Sequence, residues 1–211
     1  MSSLLIALLG ALLVPLFVGT WRTSLAGLGA QGLLMALVAW RLVPSPSTFE
    51  EWLVFFDLVV IRGFVAPMAL FTVLQRRRAP SRSDVIPPNL LSWTFALGLV
   101  LASFSFSETL VVEPGDPQTL VAVATAGVLL GFLVLATQSE PFGQMVGALR
   151  VENAITLLEI GGEAGESSIA LRLGAIGVFC GTVALYRWVL AAGVSGRAGS
   201  DPSPAAREPT L

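Results

Sequence analysis

Long apolar segments follow one another through this sequence, and they constrain its fold more than any other feature. They occupy residues 4–19, 24–42, 52–75, 88–107, 118–137, 143–161 and 168–191. A helix of about 20 apolar residues, rising about 1.5 Å per residue, crosses the roughly 30 Å hydrocarbon core of a bilayer. Lipid offers the backbone no hydrogen bonds, so each segment is expected to be helical. The sequence therefore predicts an all-α, polytopic membrane protein with about seven transmembrane helices.

The composition supports this class and excludes others. Hydrophobic residues make up 55% of the chain and charged residues only 12%, against roughly 25% charged residues in soluble domains. All 12 basic residues are arginines, histidine is absent, and Cys180, inside an apolar run, is the single cysteine. We therefore expect no metal site, no cofactor, no catalytic residue and no nucleic-acid partner. Cys180 is expected to be a small buried residue.

The charges between the apolar segments predict a topology. Arginines 76, 77, 78 and 82 lie between the third and fourth segments, and the positive-inside rule places this loop in the cytoplasm. Alternation then places the acidic loops at 108–116 and 161–166 outside, the N-terminus outside and the C-terminus inside. No basic residue precedes the first apolar segment, so we expect that segment to be retained as a helix.

The chain is expected to have three parts. Residues 1–112 would form an N-terminal four-helix membrane part and residues 113–192 a three-helix membrane part. Residues 193–211 are rich in Gly, Pro, Ser and Ala, a composition typical of disorder. They are expected to be a disordered cytoplasmic tail.

Glu152 lies near the middle of the sixth apolar segment. A charged group at membrane depth costs at least about 2.5 kcal/mol, and it usually faces a protein interior or a water path, with a partner. Glu159 lies about two turns further along the same helix face, about 10 Å away. That spacing suits a water-bridged proton relay. Two interpretations stay open for Glu152: it binds and releases protons, or it is half of a structural ion pair.

The third apolar segment carries Asp57 and Arg62. An arginine cannot lose its proton, so it must be paired or hydrated. In an α-helix, residues five apart point about 140° apart, which makes a direct pair with Asp57 awkward. Glu152 or Glu159 on another helix is then the expected partner. Arg62 either sets the electrostatic field of a proton path that includes Asp57, or forms a structural bridge.

Three further residues shape these two segments. Pro67 cannot donate to the carbonyl of Gly63, which predicts a kink one turn beyond Arg62. Arg150 lies two residues before Glu152 and therefore points to a different helix face, which makes it a poor partner.

Arg172 is a further charge inside an apolar segment and lies about one turn into the seventh. It is expected to pair with Glu159, and the alternative is that it extends toward the membrane surface.

A family resemblance follows from these residues. The run from Gln144 to Asn153, Gln-Met-Val-Gly-Ala-Leu-Arg-Val-Glu-Asn, resembles the Gly then Met-Glu-Asn pattern of hydrogenase-4 component E, a membrane subunit of formate-hydrogenlyase-type complexes. The run from Glu51 to Pro67 looks like that family's third helix, in which a buried lysine precedes a proline-containing segment and a basic end. Length, helix order and polar tail also match. The resemblance implies packing or kink roles for four residues: Gly63, Pro67, Gly147 and Asn153.

The last three helices further resemble the K subunit of respiratory complex I and the C subunit of multisubunit cation/proton antiporters. Those subunits carry membrane carboxylates in a proton path. Asn153 aligns with an asparagine of that pattern, which places Glu152 about one turn from its usual first glutamate, on a similar face. The second glutamate is missing here, and its place falls near Gly174, two residues after Arg172.

The resemblance implies a subunit of an energy-converting complex similar to group 4 hydrogenases and complex I, in the bacterial cytoplasmic (inner) membrane. Expected partners are antiporter-like membrane subunits, a hydrogenase-like or complex I-like peripheral module, and the lipid bilayer. The chain would contribute to a lateral proton or cation path and to assembly, without being an enzyme on its own. A purely structural subunit and an independent small transporter remain as alternatives, and the transporter would be expected to show internal repeats.

Overall fold

The computed structural model describes residues 1–17, 20–43, 46–76, 90–111, 114–138, 140–162 and 169–198. Within these ranges the chain is all-helical and has no β-strand, which confirms the predicted all-α class. Six helices are regular: α1 (Ser2–Phe17), α2 (Trp21–Leu42), α4 (Leu90–Leu110), α5 (Asp116–Thr137), α6 (Pro141–Gly161) and α7 (Ile169–Ala198). The remaining helix, α3, joins three consecutive segments, which are α-helical Phe49–Phe56, π-helical Asp57–Val65 and α-helical Ala66–Arg76.

Five helices of the described chain are long and apolar enough to cross a membrane. They are Trp21–Leu42, Phe49–Gln75, Trp93–Leu110, Asp116–Thr137 and Ile169–Ala192. Helix α1 is shorter, with an apolar stretch at Ser2–Leu13, and α6 is interrupted by Arg150, Glu152 and Glu159. The described part of the chain is therefore membrane-type and helical, with five candidate spans against the predicted seven.

The predicted tail begins too early. Helix α7 continues to Ala198, so residues 193–198, expected to be disordered, belong to a helix. The first proline after the apolar part of α7 is Pro202, and until then every residue can donate an intrahelical hydrogen bond. The rest of the predicted tail, residues 199–211, lies outside the described residues, as does the arginine loop at 77–82.

Two apolar cores hold the helices together. The first is built from α1 to α6 around Leu8, Met35 and Leu130. The second consists of buried side chains of α2, α3, α6 and α7, among them Leu28 and Leu70. Helix α1 packs on α2 and α5, and α2 also packs on α3 and α6. Helix α5 packs on α4 and α6. Helix α7 packs on α3 and α6. Polar side chains of α3 and α6 meet beside the second core.

Helix α7 has little contact with the rest of the fold. Only 11% of its most apolar stretch, within Ile169–Ala192, is buried. The side chains of Leu171, Val178, Leu185 and Trp188 are exposed. Such a surface is unfavourable in water but stable against lipid or other membrane helices. The buried residues of α7, Phe179, Val183 and Leu190, are the ones that join the second core.

Helices α1 and α5 run in the same direction. The Ser2 hydroxyl donates to Oδ1 of Asp116 at 2.8 Å, which brings together the first turns of two helices that pack on each other. Parallel first and fifth helices are what the predicted alternation of spans requires, because three crossings, an odd number, lie between them.

Glycines allow close helix contacts at two places. On α2, a Cβ at Gly32 would lie 2.8 Å from the carbonyl carbon of Arg62, and one at Gly29 would lie 2.9 Å from the carbonyl oxygen of Gly63. On α6, a Cβ at Gly147 would lie 3.1 Å from the carbonyl oxygen of Gly131 in α5. These backbone contacts support the packing role predicted for Gly63 and Gly147.

Replacement of Gly32 by alanine is expected to destabilise the protein. The added Cβ would meet the backbone of Arg62 and Gly63 at 2.8 Å, and backbone cannot move aside as a flexible side chain can. Overpacking of this kind costs about 1–3 kcal/mol. Gly98→Ala on α4 is the matched control, since a Cβ there meets nothing within 4 Å. The temperature at which the protein loses its monodisperse peak in detergent should be lower for Gly32→Ala than for the wild type, and unchanged for Gly98→Ala. Equal shifts in the two variants would contradict close packing of α2 on α3 at Gly32.

Candidate functional site

Arg62 and Asp57 form a direct ion pair in the π-helical segment of α3. The Nε of Arg62 donates to Oδ2 of Asp57 at 2.7 Å, and both side chains are buried, at 2% and 7% exposed. The expectation that their spacing prevents a pair, leaving Glu152 or Glu159 as the partner of Arg62, is wrong. It assumed α-helical spacing, whereas hydrogen bonds from i to i+5 bring residues five apart close to one side of the helix.

The same guanidinium joins α3 to α6 and α7. Its Nη1 donates to Oδ1 of Asn153 on α6 at 2.7 Å, and its Cζ lies 4.1 Å from the ring centroid of Phe179 on α7. Asn153 and Phe179 are fully buried, so the cation meets a carboxylate, an amide oxygen and an aromatic face away from solvent. We call Asp57, Arg62, Asn153 and Phe179 the buried polar cluster. Asn153 thus joins α6 to α3 through this hydrogen bond.

Glu152 lies beside this cluster at the contact between α6 and α7. It is half-buried, and its Oε1 accepts a hydrogen bond from the hydroxyl of Thr182 at 2.8 Å. Its Oε2 is buried and has no partner in the described chain. Adjacent residues of α6 therefore point to different neighbours, Asn153 to α3 and Glu152 to α7, because each step along an α-helix turns by about 100°.

Glu159 and Arg172 do not meet. Glu159 is exposed near the end of α6, Arg172 is half-buried, and no ion pair joins them. Nε of Arg172 is buried and has no hydrogen-bond partner in the described chain. The expected pair between Glu159 and Arg172 is therefore wrong.

Arg150 is buried and acts away from the cluster. It is 1% exposed, and its Nη1 donates to the carbonyl oxygen of Leu12 on α1 at 3.1 Å. Its role is to attach α6 to α1.

Pro67 lies just after the irregular backbone. The π-helical segment ends at Val65, and the next helical turn begins at Ala66. The irregular backbone lies on the N-terminal side of Pro67 and around Arg62, where residues 57–65 form wider turns. The ring of Pro67 lies 3.4 Å from the position of a Cβ on Gly29, so it also forms part of the contact with α2.

Cys180 is exposed, which corrects the expectation that it is buried. It follows Phe179 on α7, and the two side chains point about 100° apart. Phe179 faces the cluster, so Cys180 faces outward. In the described part of the chain, no group of three or more His, Cys, Asp or Glu side chains could hold a metal ion.

Sequence reasoning missed four residues that complete the site: Phe179 and Thr182 on α7, and Gly29 and Gly32 on α2. Phe179 and Thr182 are three apart and so share a helix face, but apolar and hydroxyl residues are common throughout membrane helices. The two glycines could have been identified from the sequence, because Gly29 and Gly32 share a face of α2 and small residues allow close packing of helices.

Deletion of Val60 tests the π-helical geometry. A π-bulge accommodates one residue more than a regular α-helix, so the deletion should restore a continuous α-helix. Asp57 and Arg62 would then be four apart in sequence, a spacing at which an α-helix also allows an ion pair. We expect the shortened protein to reach wild-type levels in membranes within about twofold, and deletion of Val54, in the α-helical part of α3, to be disruptive. Equal loss in both deletions would show that the π-helical segment is not a one-residue bulge.

The chain matches no protein-family model, no curated protein and no solved structure.

Proposed function

We propose that this chain is a membrane subunit of an energy-converting complex of the hydrogenase-4 and complex I type, and that it contributes a carboxylate to a lateral proton path. The proposal places it in the bacterial cytoplasmic membrane, beside antiporter-like subunits and a hydrogenase-like or complex I-like peripheral module. Redox chemistry belongs to those partners, so the chain is not an enzyme on its own.

The observation that carries the proposal is the different bonding of two carboxylates in one region. Asp57 is held by Arg62 in a buried ion pair, an arrangement in which the charges stabilise each other. Glu152 accepts from a hydroxyl instead and forms no ion pair with any described residue. A half-buried carboxylate without a cation can be neutralised by taking up a proton. Glu152 is therefore the better candidate for proton exchange, and Asp57 is the better candidate for a fixed charge.

Glu159 extends the proposed path along α6. It lies about two turns beyond Glu152 on a similar face, about 10 Å away, and it is exposed. An exposed carboxylate near a helix end suits the entry or exit of a path better than its centre. Arg172 does not neutralise it, because the ion pairs of the described residues include neither Glu159 nor Arg172.

A purely structural subunit is the second candidate. It is favoured by the contacts of Arg62, which join α3, α6 and α7 through one guanidinium. The two candidates differ in one respect: a structural role needs the Asp57–Arg62 pair, whereas a proton path also needs the exchangeable carboxyl of Glu152.

Purification from native membranes tests the proposed assembly. A C-terminally tagged chain, extracted in mild detergent, should co-purify with an antiporter-like membrane subunit and with a redox subunit of the peripheral module, identified by mass spectrometry. The exposed apolar surface of α7 supports such contacts. A monodisperse chain that purifies alone and transports a solute in liposomes would favour the transporter instead.

Accessibility of single cysteines tests the proposed topology. In a Cys180→Ala background, which removes the exposed native thiol, cysteines at positions 81 and 200 should react with a membrane-impermeant maleimide only after the cells are opened. A cysteine replacing Gly115 should react in cells whose cytoplasmic membrane is intact. Positions 81 and 115 would flank α4, so labelling of both from the same side would exclude the proposed orientation of that helix.

A further inference from the structure

The buried polar cluster contains two polar atoms that have no hydrogen-bond partner, one on each of the two side chains that Arg62 contacts through hydrogen bonds. They are Oδ1 of Asp57 and Nδ2 of Asn153, neither of which has a hydrogen-bond partner among the described protein groups. Asp57 is 5% exposed and Asn153 is fully buried. A buried polar atom in a membrane-type helix bundle is costly unless it is bonded, so such atoms call for a partner.

The orientation of the Asn153 amide follows from its neighbour. A guanidinium has only donors, and Nη1 of Arg62 lies 2.7 Å from the amide. Asn153 must therefore present its oxygen to Arg62, which directs its NH₂ group away from the cation. The unpartnered atom of Asn153 is therefore its amide nitrogen, which is a hydrogen-bond donor.

The unpartnered atom of Asp57 has the opposite character. Its Oδ2 accepts from Nε of Arg62 at 2.7 Å, and an ionised carboxylate can only accept. The site thus offers one donor and one acceptor, held on two helices by the same guanidinium. A metal cation cannot accept from an amide NH₂, and an anion cannot donate to a carboxylate. Water does both, and it is the usual partner of buried polar groups that protein atoms leave unsatisfied.

We propose that ordered water binds at the contact between α3 and α6, accepting from Nδ2 of Asn153 and donating to Oδ1 of Asp57, as one molecule or a short chain. Nothing in this inference requires proton translocation, because the unpartnered atoms call for water whatever the complex does. The neighbouring Oε2 of Glu152 is a third buried polar atom without a partner and the second acceptor among them. A water chain that continued past Asn153 to this atom would connect Asp57 on α3 to Glu152 on α6.

The test is a structure of the full chain, with whatever subunits co-purify, in lipid nanodiscs at a resolution that shows ordered water. We expect density within hydrogen-bond distance of Nδ2 of Asn153, linked to Oδ1 of Asp57 directly or through one further water. A direct bond between the two side chains, or bonds from both atoms to another protein group, would overturn the proposal. So would continuous apolar packing with no density beside them.

A spectroscopic measurement covers the case in which the structure is obtained at lower resolution. Infrared spectra of the same nanodiscs should contain a water O–H band that shifts on exchange into H₂¹⁸O and is lost in Asn153→Leu. Gln144→Leu is the matched amide control, because Gln144 also lies on α6 and its amide already donates to the backbone carbonyl of Gln138. Retention of the band in Asn153→Leu, or its loss in both variants, would overturn the assignment.

Discussion

Substitution of Arg62 by alanine is expected to abolish accumulation of the folded protein. The change leaves Asp57 buried with no cation and removes the partner of Asn153 and Phe179 at the same time. Loss of one member of a buried ion pair costs about 3–5 kcal/mol, a large part of the roughly 5–15 kcal/mol by which proteins are stable. The measurement is the level of the protein in membranes by immunoblot, with the fraction that stays monodisperse after mild heating in detergent.

Two comparisons make this result specific. Arg41→Ala removes an arginine that is exposed at the end of α2, so its effect should stay within about 0.5 kcal/mol. Asp57→Asn combined with Arg62→Ala removes the stranded charge, so the double variant should accumulate better than Arg62→Ala alone. If the double variant accumulates no better than Arg62→Ala alone, Arg62 does not stabilise the protein through its ion pair with Asp57.

The helices could be predicted from the sequence because membrane insertion leaves few alternatives. Runs of apolar residues bounded by arginines, prolines and acidic loops give most helix ends within about three residues, as at α5, expected at 118–137 and observed at Asp116–Thr137. The exception is the end of α7, expected at 191 and observed at Ala198. The count of spans could not be fixed in this way. Helix α6 carries three charged residues, and whether such a helix crosses the bilayer depends on what surrounds it.

The polar cluster was predictable only in part. Charges inside apolar segments identify Asp57, Arg62 and Glu152 as residues that need partners, but the pairing depends on backbone geometry. No residue type signals a π-helical segment, so α-helical spacing was assumed and the Asp57–Arg62 pair was missed. Thr182 was missed for a different reason: its importance comes from the packing of α7 on α6, which a single sequence does not reveal.

Replacement of Glu152 by glutamine is expected to separate proton translocation from assembly. Glutamine keeps the size of the side chain and can still accept from the hydroxyl of Thr182, but it cannot bind and release a proton. The buried polar cluster is untouched, so the complex should assemble at wild-type levels. A positioned group that transfers protons typically accelerates a step by about 10²–10⁴-fold, so we expect translocation to fall at least about tenfold. Glu108→Gln, at an exposed carboxylate on α4, is the matched control.

The direct measurement is substrate-driven quenching of a pH-sensitive dye in inverted membrane vesicles, with subunit levels determined on the same preparation. The account predicts that vesicles carrying Glu152→Gln contain the intact complex and show at least about a tenfold slower initial rate of acidification, while Glu108→Gln vesicles match the wild type. Wild-type acidification by an intact Glu152→Gln complex would contradict it, and would leave Glu152 as a residue that only packs α6 against α7.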